Sequence, residues 1–451
     1  MPTPPHSRPR RAYAVSLVAI ATLVASVAPA LAMGERRPGI AGSSCSRTGQ
    51  TRSVGGTSFV CVASGARRVW RRVTTVAPGA SSNTTTTTMS VASSGDLVAA
   101  SRCRLTDPRA TTDGISLGHP RPAVRLKATG TVRIGVVFVD FADAVATRTT
   151  QSVLDLISPA AERRFAALSY GRATFELVPV HRWVRMSRVS SAYGMSRSRP
   201  SFSAHRAYVA EALDLGVRSL DVSGLDGFLV LANPDAAALD FGPAFTPNDG
   251  YWAAVAAGRS WTNGATSGTD LLGWGSAWFN HEFGHALGLV DLYAFDGEQH
   301  RFTGDFSLMG RMDGGAPEYF AWERWTLGWV TDAEVACIES GSATVTLDPI
   351  ERAGGTKMLV ARLGTSRAVV VESRRRLGYD TALTREGALV YLVDTSVASG
   401  KGPIRVQPEN DADLVKSSAL LRTGNSITVA GVRISVVASG SSGDRVTIRI
   451  G

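Results

Sequence analysis

Long basic runs are missing from this sequence, and so, nearly, is lysine. Clusters such as Arg71-Arg72 and Arg374-Arg375-Arg376 are short and carry no interleaved aromatics. They lack the stacking platform of a strand-binding protein. Lysine occurs only at 127, 357, 401 and 416, so nearly all of the positive charge is arginine. The formal charge of +10 (48 Lys+Arg against 38 Asp+Glu) is partly a property of the first residues. Without Arg8, Arg10 and Arg11 it becomes 45 − 38 = +7, dispersed along the chain. A nucleic-acid partner is not expected. With 19% charged residues and a mean hydropathy of +0.03, neither a polytopic membrane protein nor a wholly disordered chain is expected. No repeat of fixed period is visible. The 451 residues are enough for two or three domains with packed cores.

One long apolar run exists, at the start. Arg8 to Arg11 is positive, Ala12 to Val27 is apolar, and Pro29 precedes Ala30-Leu31-Ala32. These are the three parts of a secretory signal, with cleavage expected after Ala32. No Cys follows that site, which argues against a lipoprotein. The mature chain is expected outside the cell, free of the membrane once residues 1–32 are removed.

Export permits disulfides. Cys45, Cys61, Cys103 and Cys337 allow three pairings, which the sequence alone leaves open. The favoured set is Cys45–Cys61 with Cys103–Cys337, the second pair tying the start of the central region to its end. The competing reading places the Cys103 thiolate on a metal as a latency switch and leaves Cys337 unpaired.

Five segments follow from the patterning. Residues 1–32 are the signal peptide. Residues 33–73, with Gly55-Gly56 between alternating apolar residues, form a small disulfide-stapled hairpin module. The Thr/Ser-rich stretch 74–95 is a linker. Residues 96–335 mix strand patterns (131–140, 173–180, 228–232) with helical ones (150–168, 203–215), followed by long Gly/Asn/Trp-rich loops from 233 to 275. Residues 336–451 show short β-branched runs at 343–348, 357–363, 367–373, 387–394, 427–437 and 444–450. An all-β C-terminal domain, a sandwich or jelly roll, is expected there.

Chemistry concentrates between Ser276 and Tyr293. His281 and His285 lie four apart and share one helix face, a spacing that brings two imidazole nitrogens to one zinc ion. Glu282 projects beside them, placed to deprotonate a metal-activated water. Phe279, Phe283, Ala286 and Leu287 point the other way, into a core. Gly284 costs helix stability, which implies a close approach there. Gly288 lets the helix stop in a left-handed turn. Asp291 follows three residues later as third ligand, leaving a fourth position open for chemistry. Asp296, Glu298 and His300 are the alternatives for that place. Composition alone expects His-Glu-x-x-His about 0.003 times in such a chain, so the spacing carries weight.

The run His281 to Tyr293 resembles the active-site helix of the immune inhibitor A family of secreted bacterial zinc metalloproteases. Gly304 to Gly310 resembles that family's Met-containing turn, with Met309 as an apolar floor beneath the metal. Ala316 to Trp329 resembles the helix that follows, and Val137 to Asp143 and Leu168 to Arg172 resemble its opening strand and helix end. One departure is Val290, where the family usually has proline. The resemblance implies a zincin-like α+β catalytic domain followed by a β domain, and hydrolysis of protein or peptide substrates. A non-catalytic envelope-binding or adhesion role is the alternative. Two tyrosines, Tyr293 and Tyr319, are candidate hydrogen-bond donors to a tetrahedral oxyanion. Trp322, Trp325 and Trp329 read as a core-facing stripe. Calcium at Asp240 and Asp249 is weighed against two ordinary turn acids.

Overall fold

The computed structural model describes residues 51–54, 57–64, 67–72, 94–108, 115–219, 221–246, 254–256 and 258–451. The expected signal peptide, Cys45, nearly all of the 74–95 linker and Asp249 lie outside the described residues. The chain divides into two compact units, Met1–Thr86 and Thr87–Gly451.

The first unit contains a three-stranded antiparallel sheet of β1 (Thr51–Val54), β2 (Thr57–Ser64) and β3 (Arg67–Arg72). Cys61 stands opposite Trp70 in the register, and both are buried. Cys61 is disulfide-bonded.

The second unit is mixed α/β with few helices and a β-rich C-terminal part. Its first sheet is built from β5 (Gly130–Asp140), β6 (Ala173–Arg185), β7 (Gly227–Ala232), β8 (Ala244–Phe245), β9 (Ala254–Ala256) and β10 (Arg259–Ala265). Strands β6, β5, β7 and β10 run parallel in that order, and the short β8 closes the edge antiparallel to β10. Helices α1 (Thr150–Leu154) and α2 (Ala160–Leu168) replace the single helix expected over 150–168. Pro159, which has no N–H to donate, stands at the break. Helix α3 (Phe202–Gly216) covers the other face. Alternation on β5 sorts the two cores: Val132, Ile134, Val136 and Phe138 face one, Val137 and Val139 the other. The stretch read as loops from 233 to 275 instead contains β8, β9, β10 and α4 (Gly268–Gly273). Two of its strands have only two and three residues and β10 is mostly polar, so a period-2 apolar pattern never develops.

The C-terminal sheet consists of β4 (Ser94–Val98), β11 (Val335–Leu347), β12 (Met358–Arg362), β13 (Arg367–Arg374), β14 (Gly387–Asp394), β15 (Ile404–Val406), β16 (Ser426–Val429), β17 (Val432–Gly440) and β18 (Gly443–Ile450). The expected two-sheet sandwich is here one continuous sheet, ordered β15-β14-β13-β12-β11-β18-β17-β16, with β4 paired to β11. It curls so that Val369, Val371 and Val390 share a core with Ile434, Val436, Val446 and Ile448. The opposite face of the same strands, through Val360, Val370, Leu389 and Val393, joins the core that holds Phe165, Phe279 and Trp329. One apolar cluster thus runs across the 335/336 position, and a strand from residues 94–98 belongs to the C-terminal sheet.

Helix α6 (Ala321–Thr326) is buried, with Ala321, Trp322 and Trp325 in the same core. The tryptophan stripe is buried: the indole N–H groups of Trp322 and Trp329 donate to Leu117 O and Ala128 O. Cys103 and Cys337 are bonded to each other and fully buried. They close a loop of 234 residues, which a chain-entropy model values at about 5 kcal/mol. The bond removes Cys103 as a metal ligand, so the latency-switch reading is withdrawn. Among the described residues, no helix is long and apolar enough to cross a membrane.

Candidate metal centre

Helix α5 (Ser276–Leu287) carries the site, and almost every residue of its inner face is buried. Phe279, Phe283, Ala286 and Leu287 enter the core as expected, and the Asn280 amide donates to Ala161 O on α2 at 3.0 Å. The chain enters through Gly275 at φ +50°, where a Cβ would sit 2.6 Å from Leu156 O. It leaves through Gly288 at φ +112°, the left-handed cap the sequence called for. From there the backbone doubles back, with Leu289 N–H donating to Gly284 O.

Gly284 is required by packing. A Cβ there would lie 2.7 Å from Met309 Sδ and 3.1 Å from the Tyr319 hydroxyl. Met309 is fully buried beneath the helix. Helix propensity alone would make Gly284→Ala stabilising by about 1 kcal/mol. The overpacking reverses that sign, and the variant is expected to lose about 1–3 kcal/mol in denaturant titration. A gain in stability would show that Met309 can step aside.

The doubling back brings three ligand-type atoms together. His281 Nε2 and His285 Nε2 lie 3.2 and 3.1 Å from the same Asp291 oxygen, Oδ1. This is the one group of three such side chains among the described residues whose donor atoms fall within 4.8 Å of one another. Both Nδ1 atoms face backbone carbonyls, Leu308 O at 3.0 Å and Leu289 O at 2.9 Å. A carbonyl only accepts, so Nδ1 carries the hydrogen in each ring, and a neutral ring then presents a bare Nε2 lone pair to Oδ1. That oxygen is buried and without a hydrogen bond. Three lone-pair atoms converging in a buried place repel unless a proton or a cation lies among them. The donor set, two imidazoles and one carboxylate, suits zinc.

Without a cation, a proton takes that place. Burial disfavours the imidazolium of His285, but the charge of Asp291, 3.1 Å away, outweighs it and pushes the group up to about 9. Burial likewise opposes ionisation of Asp291, and the His285 charge with both imidazole contacts holds its carboxyl well below the usual range. A metal ion entering here would displace a proton at neutral pH. Zinc titrated at pH 8 in buffers of different ionisation enthalpy is expected to release close to one proton per ion. Zero release would contradict the protonated resting state.

Asp291 is held from the C-terminal part of the chain. Its N–H donates to Ser399 Oγ at 2.9 Å, the Ser399 hydroxyl lies 3.4 Å from Oδ2, and Gly400 N–H donates to Asp291 O. No pattern near 399 announces this role. The alternatives to Asp291 are placed elsewhere. Asp296 pairs with Arg301 and with Lys401 at 2.8 Å. Glu298 is not in the group of three, and His300 Nδ1 faces Gly310 O.

Glu282 stands beside the cluster but outside it. Its Oε2 accepts the Ala244 N–H of edge strand β8 at 3.1 Å. Burial raises its pKa above the ordinary value, and the two histidines oppose that shift. Two hollows of about 450 and 260 Å³ meet at Glu282. Both are lined by Arg197, His281, Glu282 and Tyr293; Phe241 and Phe245 wall the larger one and His300 the smaller.

No model of a known protein family matches this chain, and no curated protein matches it. The site's reading rests on its own geometry.

One expectation changes. Tyr319 is fully buried, its hydroxyl donates to Asn280 O at 2.7 Å, and its ring stacks near Trp329. It is a core residue and is withdrawn as an oxyanion donor. Tyr293 lines both hollows, its ring centroid 6.1 Å from that of His281. Asp240 is a turn acid: its Oδ1 accepts the Arg197 backbone N–H. Gly114 to Gly118 matches the G-x-S-x-G spacing of a hydrolase elbow. Its Ser116 is buried, with Oγ accepting the Gly118 N–H, and the described residues 115–118 belong to no strand or helix.

Proposed function

We propose that this chain is an exported zinc-dependent endopeptidase with a zincin-like catalytic region. The observation that carries the reading is the convergence of His281, His285 and Asp291 beside Glu282 at the meeting point of two hollows. A zinc ion held by those three residues would supply a Lewis acid that polarises a scissile carbonyl and makes water nucleophilic near neutral pH.

The other tasks fall to the chain's own groups. Glu282, kept apart from the ligands by the Ala244 N–H, takes the proton of the attacking water and delivers it to the leaving amine. Its raised pKa brings it closer to the pH at which a base must both accept and release a proton. The Nδ1 bonds to Leu308 O and Leu289 O fix both rings, and Ser399 fixes Asp291. The larger hollow, walled by Phe202, Phe241 and Phe245, suits an apolar side chain of a peptide. The leader at 1–32 and the likeness of 281–293 to the immune inhibitor A proteases support the same reading. Zinc is the cofactor proposed, and protein or peptide the substrate.

Casein or gelatin hydrolysis by the purified chain tests it. Clearance abolished by a chelator and restored by zinc is expected. Binding to envelope material with no zinc-dependent hydrolysis would instead favour a scaffold without turnover.

A further inference from the structure

We infer that Arg197 is a catalytic residue of this site, the donor that holds the oxyanion of the tetrahedral intermediate. The inference rests on the endopeptidase reading above. Arg197 is one of four residues lining both hollows, with His281, Glu282 and Tyr293, so it stands where the two halves of a cleaved chain would meet. Its placement is rigid for a side chain 58% exposed. Nη2 donates to Asp270 Oδ1 at 2.7 Å and Nε to Asp240 O at 3.2 Å, while its backbone N–H donates to Asp240 Oδ1. Asp270 is itself buried and locked by the Ser267 hydroxyl at 2.8 Å, in the cap of α4. A guanidinium has five N–H donors, and these two bonds leave three.

Chemistry makes those donors useful. As water adds to the scissile carbonyl, its π electrons become a full negative charge on oxygen, while the water proton goes to Glu282. A fixed cation at the junction favours that state over the neutral substrate. Tyr319 is not placed to do so, because it is buried in the core with its hydroxyl on Asn280 O, and Tyr293 lines both hollows only as a neutral phenol. Asp270 is then a positioning residue, acting through Arg197.

Arg197→Gln tests the assignment in the zinc-loaded full chain. Zinc content is expected to stay at the wild-type value, with kcat lowered about 100-fold and KM changed by less than about threefold. Affinity for a phosphinic peptide, which carries a tetrahedral anion, should fall by the same factor as kcat/KM. Affinity for a thiol inhibitor, which has no such oxygen, should hold. Arg197→Lys keeps the charge and should lie between the two, and added guanidinium should recover part of the Arg197→Gln activity. A rise in KM at constant kcat would make Arg197 a substrate anchor and overturn the proposal. So would unchanged kinetics, or equal loss of both inhibitors. If the wild-type chain shows no chelator-sensitive hydrolysis, the endopeptidase reading itself fails; if it does and Arg197→Gln matches it, only the Arg197 assignment fails.

Discussion

Glu282→Ala is expected to abolish proteolysis while leaving zinc in place. The carboxylate is not among the three converging ligand atoms; it accepts the Ala244 N–H and faces the cleft. Removing it therefore takes away the proposed base and leaves His281, His285 and Asp291 intact. General-base catalysis is worth about 10²–10⁴-fold, so kcat/KM should fall by about 1,000-fold or more. Elemental analysis for zinc and a casein assay on the same preparation check both halves. Full activity in the variant would remove Glu282 from the mechanism. Loss of zinc together with activity would mean that the base also holds the metal.

Asp291→Ala is expected to lose the metal itself. A change in an outer-shell group weakens metal binding by about 10–100-fold, and loss of a direct ligand should exceed that range. Asp296→Ala and His300→Ala, two of the three rivals the sequence left open, should bind zinc like wild type, because neither reaches the cluster. Retained zinc in Asp291→Ala with loss in His300→Ala would reverse the assignment. Competition with a fluorescent chelator measures all three. Ser399 adds a physical reason for Asp291: its hydroxyl accepts the Asp291 N–H, so the carboxylate is aimed before any ion arrives.

Local pattern was informative wherever a residue's reason is local. The four-residue spacing of His281 and His285 is a property of any α-helix, and Gly288 at φ +112° is a cap that a residue with a Cβ adopts poorly. Gly284 was legible as a close approach, but what approaches, Met309 and Tyr319, was not. In the C-terminal half, strands expected at 367–373, 387–394 and 444–450 match β13, β14 and β18 to within a residue. The β-branched runs of β13 and β14 are buried on both faces, one in each of two cores, and that of β18 on one face. The stretch 233–275 was misread because β8 and β9 have only two and three residues and the seven of β10 are mostly polar, so no period shows. Tyr319 was misjudged for a related reason: nothing in its neighbours says that its hydroxyl is paired with Asn280 O inside the core.

By itself, the sequence determined the helix that offers two imidazoles and a carboxylate to one side, the glycines that begin and end its useful part, and the β character of the last third. Those depend on periods of 3.6 and 2 and on backbone sterics, which act between near neighbours. Tertiary structure alone decided that Asp291, and not Asp296 or His300, meets the histidines, and that Ser399 aims it from 108 residues away. It also decided that Cys103 joins Cys337, that Arg197 reaches the cleft, and that one sheet curls where two were expected. Each of these is a meeting of groups distant along the chain, arranged by how apolar faces pack, and no local period encodes it.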